Sequence, residues 1–240
     1  MTSQTDPVWA KLEKSYSAVY KGERLGSKVL TIGKWPRNRW EACIFWAPKG
    51  ERVLDVGCGH GIVLFNLKDK FKELYGIELS KARVETARKT LAGYNTHIVE
   101  GNIELGTPFD EAYFDVVICS DVIEHVIDVK AAFWEMHRLL RKGGSLVLNT
   151  PNVARWKGRL TLLFGKFPST SAPSEGIDVR AEGELLDGGH LHYFTFSLLN
   201  NLCREVGFSQ VSNYGFGRMG VLHNLWPSLL SGSCQIVARK

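Results

Sequence analysis

The tract that most constrains this chain is Glu51-Arg52-Val53-Leu54-Asp55-Val56-Gly57-Cys58-Gly59-His60-Gly61. Val53, Leu54 and Val56 suit a short buried parallel strand, and Ile62, Val63, Leu64, Phe65 and Leu67 predict a helix packed back on it. The chain must reverse between the two. Glycine allows positive φ there and lets a ligand approach the main chain with no Cβ in the way. Three glycines in five residues exceed what a turn needs, so the tract predicts a ligand-binding turn at the end of a strand.

The next strand signal is Leu74-Tyr75-Gly76-Ile77-Glu78-Leu79-Ser80. An acid about 20 residues beyond a glycine turn is placed to accept hydrogen bonds from ribose hydroxyls in a doubly wound sheet. Position 62 is Ile, so the glycines run GxGxG rather than GxGxxG, and Asp55 precedes them inside the strand. This departs from the dinucleotide fingerprint. The two tracts together resemble those of class I S-adenosylmethionine (SAM) methyltransferases. The resemblance implies an α/β, doubly wound, Rossmann-like, mostly parallel seven-stranded sheet whose last strand is an antiparallel edge. It also implies SAM as cofactor, with Asp55, Gly57, Cys58, Gly59 and Gly61 under the methionine part, Glu78 on the ribose, and Leu79 among the cofactor-binding residues.

Further along, Asn102 stands where the family commonly has an acid for the adenine amino group, and an Asn oxygen can accept the same bond. Ile103 would cover the adenine face, or the pair would form an ordinary strand-end turn. Phe114 to Cys119 reads as a buried strand followed by a polar crossing at its carboxyl end, where open α/β sheets bind ligands. Ser120 and Asp121 are candidates for the methionine part of SAM, while Glu124 and His125 would cap or orient the following helix. Asn149-Thr150-Pro151-Asn152, Arg159-Leu160, Leu162 to Gly165 and Gly189-His190-Leu191-His192-Tyr193-Phe194-Thr195 are similar to the branch that holds MetW-like and ubiquinone-biosynthesis-like methyltransferases.

Strands are predicted near 51–56, 73–78, 96–100, 114–119, 145–149, 208–214 and 233–239. Helices are predicted near 61–69, 80–91, 130–141, 152–163 and 197–206, with Ser80 as an N-cap and Gly143-Gly144 as a stop. The 240 residues read as one domain: a helical prefix over 1–48, a cofactor core over 49–164, an acceptor-side loop over 165–196 and a closing unit over 197–240. The prefix carries one helix over 7–21 and another starting at Pro36. It either covers a sheet edge or closes over the cofactor, with Tyr16, Tyr20 or Arg37 reaching inward.

Composition excludes little but agrees. No apolar run approaches the ~20 residues needed to span a bilayer, and the first residues lack a basic then apolar leader, so a cytoplasmic location is expected. The five cysteines form no CxxC pair and read as reduced, buried thiols. A net charge of +5 spread over the chain does not demand a nucleic-acid partner.

The SAM methyl is already activated, so the protein has to align an acceptor in line with it, and no metal is required. His190, His192 and Tyr193 follow the long loop, where a small-molecule acceptor would sit. A histidine there suits a general base for a hydroxyl or amine. The alternative roles are a turn hydrogen bond for His190 and a helix cap for Thr195, and His190-x-His192 lacks further ligands with zinc spacing. Other readings are a SAM-binding regulatory partner of a biosynthetic enzyme, and an NAD(P)-dependent oxidoreductase, which the missing glycine at 62 and the absent YxxxK pair count against.

Overall fold

The computed structural model describes residues 27–171 and 186–240. The helix expected over 7–21, with Tyr16 and Tyr20, and the middle of the acceptor-side loop lie outside the described residues. Chain order is α1 (Arg39–Trp46), β1 (Arg52–Val56), α2 (Ile62–Leu67), β2 (Glu73–Glu78), α3 (Lys81–Thr90), β3 (Thr96–Glu100), β4 (Phe114–Ser120), α4 (Val129–Leu139), β5 (Leu140–Pro151), α5 (Trp156–Leu163), α6 (Phe196–Val206), β6 (Gln210–Tyr214), α7 (Pro227–Leu230) and β7 (Ser233–Arg239).

Among the described residues the seven strands form one sheet in the order β3-β2-β1-β4-β5-β7-β6. The neighbours from β3 to β5 are all parallel, whereas β7 runs antiparallel to both β5 and β6. The last strand is therefore antiparallel as expected but is not an edge. It inserts between β5 and β6, because Cys234, Ile236 and Ala238 are buried among the core and need cover on both sides. β6 takes the edge instead, and its mostly exposed Gln210-Val211-Ser212-Asn213-Tyr214 suits that place.

Two apolar layers clothe the sheet. On one face Leu54, Tyr75, Val117, Leu146 and Leu148 meet Phe133 and Met136 of α4 and Leu199 and Cys203 of α6. On the other, Val53, Leu74, Val116 and Val147 meet Cys43 and Ile44 of α1, Leu64 of α2 and Val84 and Ala87 of α3. The alternation of neighbours such as Val53 and Leu54 between faces is the period-two signature of a strand covered on both sides. The five thiols are all buried and unbridged.

Two boundaries differ from expectation. α4 ends at Leu139, and β5 begins directly at Leu140 with a register shift between Phe114 and Val116 of its neighbour before regular pairing from Ser145. Gly143, at φ 75°, lets the chain turn inside that irregularity rather than ending a helix. α5 starts at Trp156, because Asn152 is spent on a bridge to Phe194 and its oxygen accepts from Ala154 N–H. Ser80 does occupy the N-cap position of α3 but makes no side-chain cap bond; its N–H donates to Glu78 instead.

Candidate functional site

β1, β2, β3 and β4 are mutually parallel, so their carboxyl ends open on one rim of the sheet. Strand order reverses between β1 and β4, which makes that rim the crevice where such sheets take ligands. The glycine turn follows β1, Glu78 ends β2, Asn102 follows β3, and Ser120 and Asp121 lie at the end of β4.

Gly57, Gly59 and Gly61 all adopt positive φ, at 69°, 54° and 85°. A Cβ on Gly57 would stand 2.4 Å from Val122 Cγ2, so the turn is closed to any side chain on conformational and steric grounds together. Gly57 and Cys58 N–H groups donate to Ile77 O, which ties the turn to β2. Cys58 Sγ fills the space that a side chain at Gly76 would need, the separation being only 2.8 Å to an ideal Cβ. Glu78 is buried and bridges the two strand ends: Oε2 accepts Gly59 N–H at 2.9 Å, Oε1 accepts Ser80 N–H at 3.0 Å, and Arg83 Nη1 lies 3.7 Å away. Asp55 is equally buried. Burial, and then the charge of Glu78, push its carboxyl up to about 8.

Asn102 Oδ1 accepts Glu104 N–H at 3.0 Å and caps a short 3-10 turn over Ile103–Leu105, while Ile103 packs into the core. Ser120 Oγ donates to Asn149 Oδ1 at 3.0 Å. Asp121 holds a left-handed φ of 49°, uncommon for a non-glycine residue, and pairs with Arg39 Nη1 at 2.8 Å. The prefix thus does send a basic side chain to this rim, but it is Arg39 of α1, whereas Arg37 is exposed and uses its N–H on Glu41. The two positions lie on either side of the N-cap Asn38, Arg37 before it and Arg39 opening the helix.

Glu124 and His125 do not cap α4. Asp128 does, accepting from Ala131 N–H. Glu124 is buried, and its main-chain oxygen accepts from Leu191 and His192 N–H at 2.7 and 3.1 Å, which draws the segment after the long loop onto the β4 rim. Thr150 Oγ1 donates to Glu124 Oε2 at 2.9 Å, and Oε1 has no hydrogen-bond partner among the described residues. Burial, followed by the neighbouring charge of Asp121, raises this carboxyl well above the ordinary range. His125 Nδ1 donates to Gly189 O at 3.0 Å, and its ring lies 4.8 Å from that of His190. Burial and then His190 lower His125 to about 4, so it is neutral at pH 7.

Of the three candidates after the loop, His190 joins this group most closely. Its Nδ1 stands 2.7 Å from Thr170 Oγ1 and 3.9 Å from Asp187 Oδ2. His192 points elsewhere, with its ring 6.3 Å from Phe194 and a buried Nε2 that finds no hydrogen-bond partner among the described residues. Tyr193 donates its hydroxyl to Asp187 at 2.9 Å, and burial together with that carboxylate raises its pKa. Thr195 caps α6 through Leu198 N–H. Asp187 went unnoticed in the sequence yet organises the segment. Burial would raise it, but Ser169, Ser171, Thr170 N–H and Tyr193 all donate to it and together bring it down to about 2. A Ser-Thr-Ser run followed by a distant Asp-Gly-Gly was the available signal. As a group that could hold a cation, Glu124, His125 and His190 each offer a ligand atom within 4.8 Å of the others, a set that the His190-x-His192 spacing had not suggested.

A family model described as a methyltransferase domain matches residues 33–213. The chain belongs to this methyltransferase family. The match spans the glycine turn, Glu78 and the His190 segment. Among curated relatives, the ubiquinone biosynthesis O-methyltransferase of Alkalilimnicola ehrlichii is 33% identical over 113 residues, 43% of each chain. That of Vibrio cholerae is 30% identical over 105 residues, again 43% of each. The chain therefore aligns with less than half the length of these relatives. Among solved structures, a SAM-dependent methyltransferase from Thermotoga maritima matches with TM-score 0.61 at 20% identity, over 97% of this chain and 99% of that one, which shows the fold.

Proposed function

We propose that this methyltransferase moves the methyl group of SAM to an oxygen of a small-molecule acceptor, with His190 as general base. The observation that carries the reading is the assembly of His190 with Glu124 and His125 on the loop that continues from Ser120 and Asp121. The donor set on the rim fits the cofactor. Buried Glu78, together with Asp55 and Asp121, supplies acceptor oxygens for ribose hydroxyls and for a cationic ligand, and the positive-φ glycines leave the main chain open. When bound, SAM supplies a sulfonium methyl that needs no further activation. Glu78 would take the ribose, as the sequence resemblance implies, with Leu79 and Ile103 toward the adenine. Asp55, Ser120 and Asp121 would face the methionine part.

On the acceptor side, His190 would accept the hydroxyl proton as the methyl transfers in line. Asp187, 3.9 Å from Nδ1, favours the resulting imidazolium, and Thr170 fixes the ring. His192 and Tyr193 would shape the pocket. The O-methylating activity named for the curated relatives supports oxygen as the acceptor atom. The test is a demethylated-cofactor release assay across hydroxylated metabolites, followed by His190→Asn. A loss of about 10²–10⁴-fold in turnover with an unchanged melting temperature is expected for a general base. Normal turnover in the variant removes His190 from the chemistry.

A further inference from the structure

α5 and the turn after it are turned outward. Trp156, Leu160, Leu162, Leu163, Phe164 and Phe167 are all exposed, Leu163 to 75% and Phe164 to 74%. A second exposed run, Val221, Leu222, Leu225 and Trp226, precedes α7. The base of α5 is tied to the segment that follows this second run: Asn152 Nδ2, just before α5, donates to Ser228 O and Ser231 O at 3.1 and 3.0 Å. Large apolar side chains gathered in this way exceed the scattered exposure expected of an inert surface.

Charge specifies what covers them. Between Asn152 and Ser171 the chain has Arg155, Lys157, Arg159 and Lys166 and no acid, and between Gly215 and Gly232 it has Arg218 and no acid. Lys157 lies 5.4 Å from the Trp156 ring centre, so charge and apolar surface are interleaved. Apolar side chains amid cations without anions complement a surface that offers hydrocarbon beneath negative headgroups. No helix among the described residues is long and apolar enough to cross a membrane, so the contact is peripheral. We propose that this face docks the protein on an anionic lipid surface, with Leu163 and Phe164 as the inserting tip and Lys157 and Lys166 on the headgroups. α5 leads to Ser169–Ser171, which hold Asp187 beside His190, so the docked face adjoins the acceptor side.

The test is flotation of the full chain with vesicles of phosphatidylcholine alone and of phosphatidylcholine mixed equally with phosphatidylglycerol. The protein is expected to float with the anionic vesicles, to release as salt is raised, and to bind neutral ones about tenfold less or weaker. Leu163→Ser/Phe164→Ser and Lys157→Glu/Lys166→Glu change exposed side chains, and each is expected to lower partitioning roughly tenfold while leaving the melting temperature and SAM affinity in place. No flotation with either vesicle, or equal flotation of wild type and both variants, overturns the proposal. So does a dimer in solution that the Leu163→Ser/Phe164→Ser change splits into monomers, which would assign the face to a second copy.

Discussion

Removing the Glu78 carboxylate separates two jobs, the bridge between strand ends that it makes and the ribose contact proposed for it. In the described fold its oxygens accept Gly59 N–H at 2.9 Å and Ser80 N–H at 3.0 Å, at a site only 5% exposed. Hydrogen bonds to a charged group are worth about 1.5–3 kcal/mol each, and a buried N–H left bare costs about 1–3 kcal/mol. Solvent entering the Ala-sized gap would rescue part of this, so Glu78→Ala should lose about 3 kcal/mol of stability. At about 2–4 °C per kcal/mol for a chain of this size, its melting temperature should fall by roughly 6–12 °C. Each carboxylate oxygen has a second lone pair for ribose hydroxyls, whose loss should weaken SAM by a further ~1.5–3 kcal/mol, or about 10–100-fold in Kd. Glu78→Gln keeps the shape and one acceptor oxygen, and should fall between wild type and Ala on both scales. Calorimetric titration with SAM and its demethylated product, beside thermal melts, measures both effects. Unchanged affinity in a folded Glu78→Ala protein would refute the ribose assignment, and an unchanged melting temperature would refute the bridging role.

Gly57→Ala adds a Cβ at φ 69° and 2.4 Å from Val122 Cγ2; about 1–2 kcal/mol of backbone strain plus about 1–3 kcal/mol of overpacking should appear in denaturant titration. Pairing it with Val122→Ala should recover only the packing part. Asp55, with its folded pKa raised to about 8 from 3.8, binds its proton more tightly folded than unfolded. Its contribution should therefore be complete below about pH 4 and be lost as pH rises toward 8, so Asp55→Asn should flatten this part of the stability–pH curve. Arg39→Met breaks a pair with Asp121 whose guanidinium side is 40% exposed; stability should move by no more than about 1 kcal/mol, while a larger fall in SAM affinity or turnover would show Arg39 serving the rim.

The rim proposed for the cofactor was legible as a place in the fold because its parts are local. A strand running into glycines, an acid at the end of the next strand and a polar crossing after β4 each lie within one short tract, and parallel pairing then places the tracts side by side. The place of β7 was less legible, since alternation along Cys234, Ile236 and Ala238 shows that the strand is buried without naming its neighbours. One helix boundary went astray where a residue had a better tertiary use than a local one: Asn152 left a helix start to hold Phe194, Ser228 and Ser231, whereas Ser80 kept the N-cap position of α3.

The acceptor side was hard to read because its contacts are distant in sequence. His125 meets Gly189 across 64 residues, and Thr150 meets Glu124 across 26. Spacing within Gly189-His190-Leu191-His192-Tyr193 ranks its members equally, yet the fold separates them. Glu124 O binds Leu191 and His192 N–H, which pins the main chain and leaves His190 beside His125, while Asp187 takes the Tyr193 hydroxyl. A hydroxyl engaged by a carboxylate and shifted upward is a poor base at neutral pH, which favours the histidine over Tyr193 for the proposed base. The same segment also explains why Asn149, Thr150 and Asn152 matter. Asn149 ties β5 to α1 and β7, Thr150 orients Glu124, and Asn152 seats the segment before α6. Thr150, at the end of β5, therefore acts by positioning Glu124, whose main chain holds the segment that carries the histidine proposed to take the acceptor's proton.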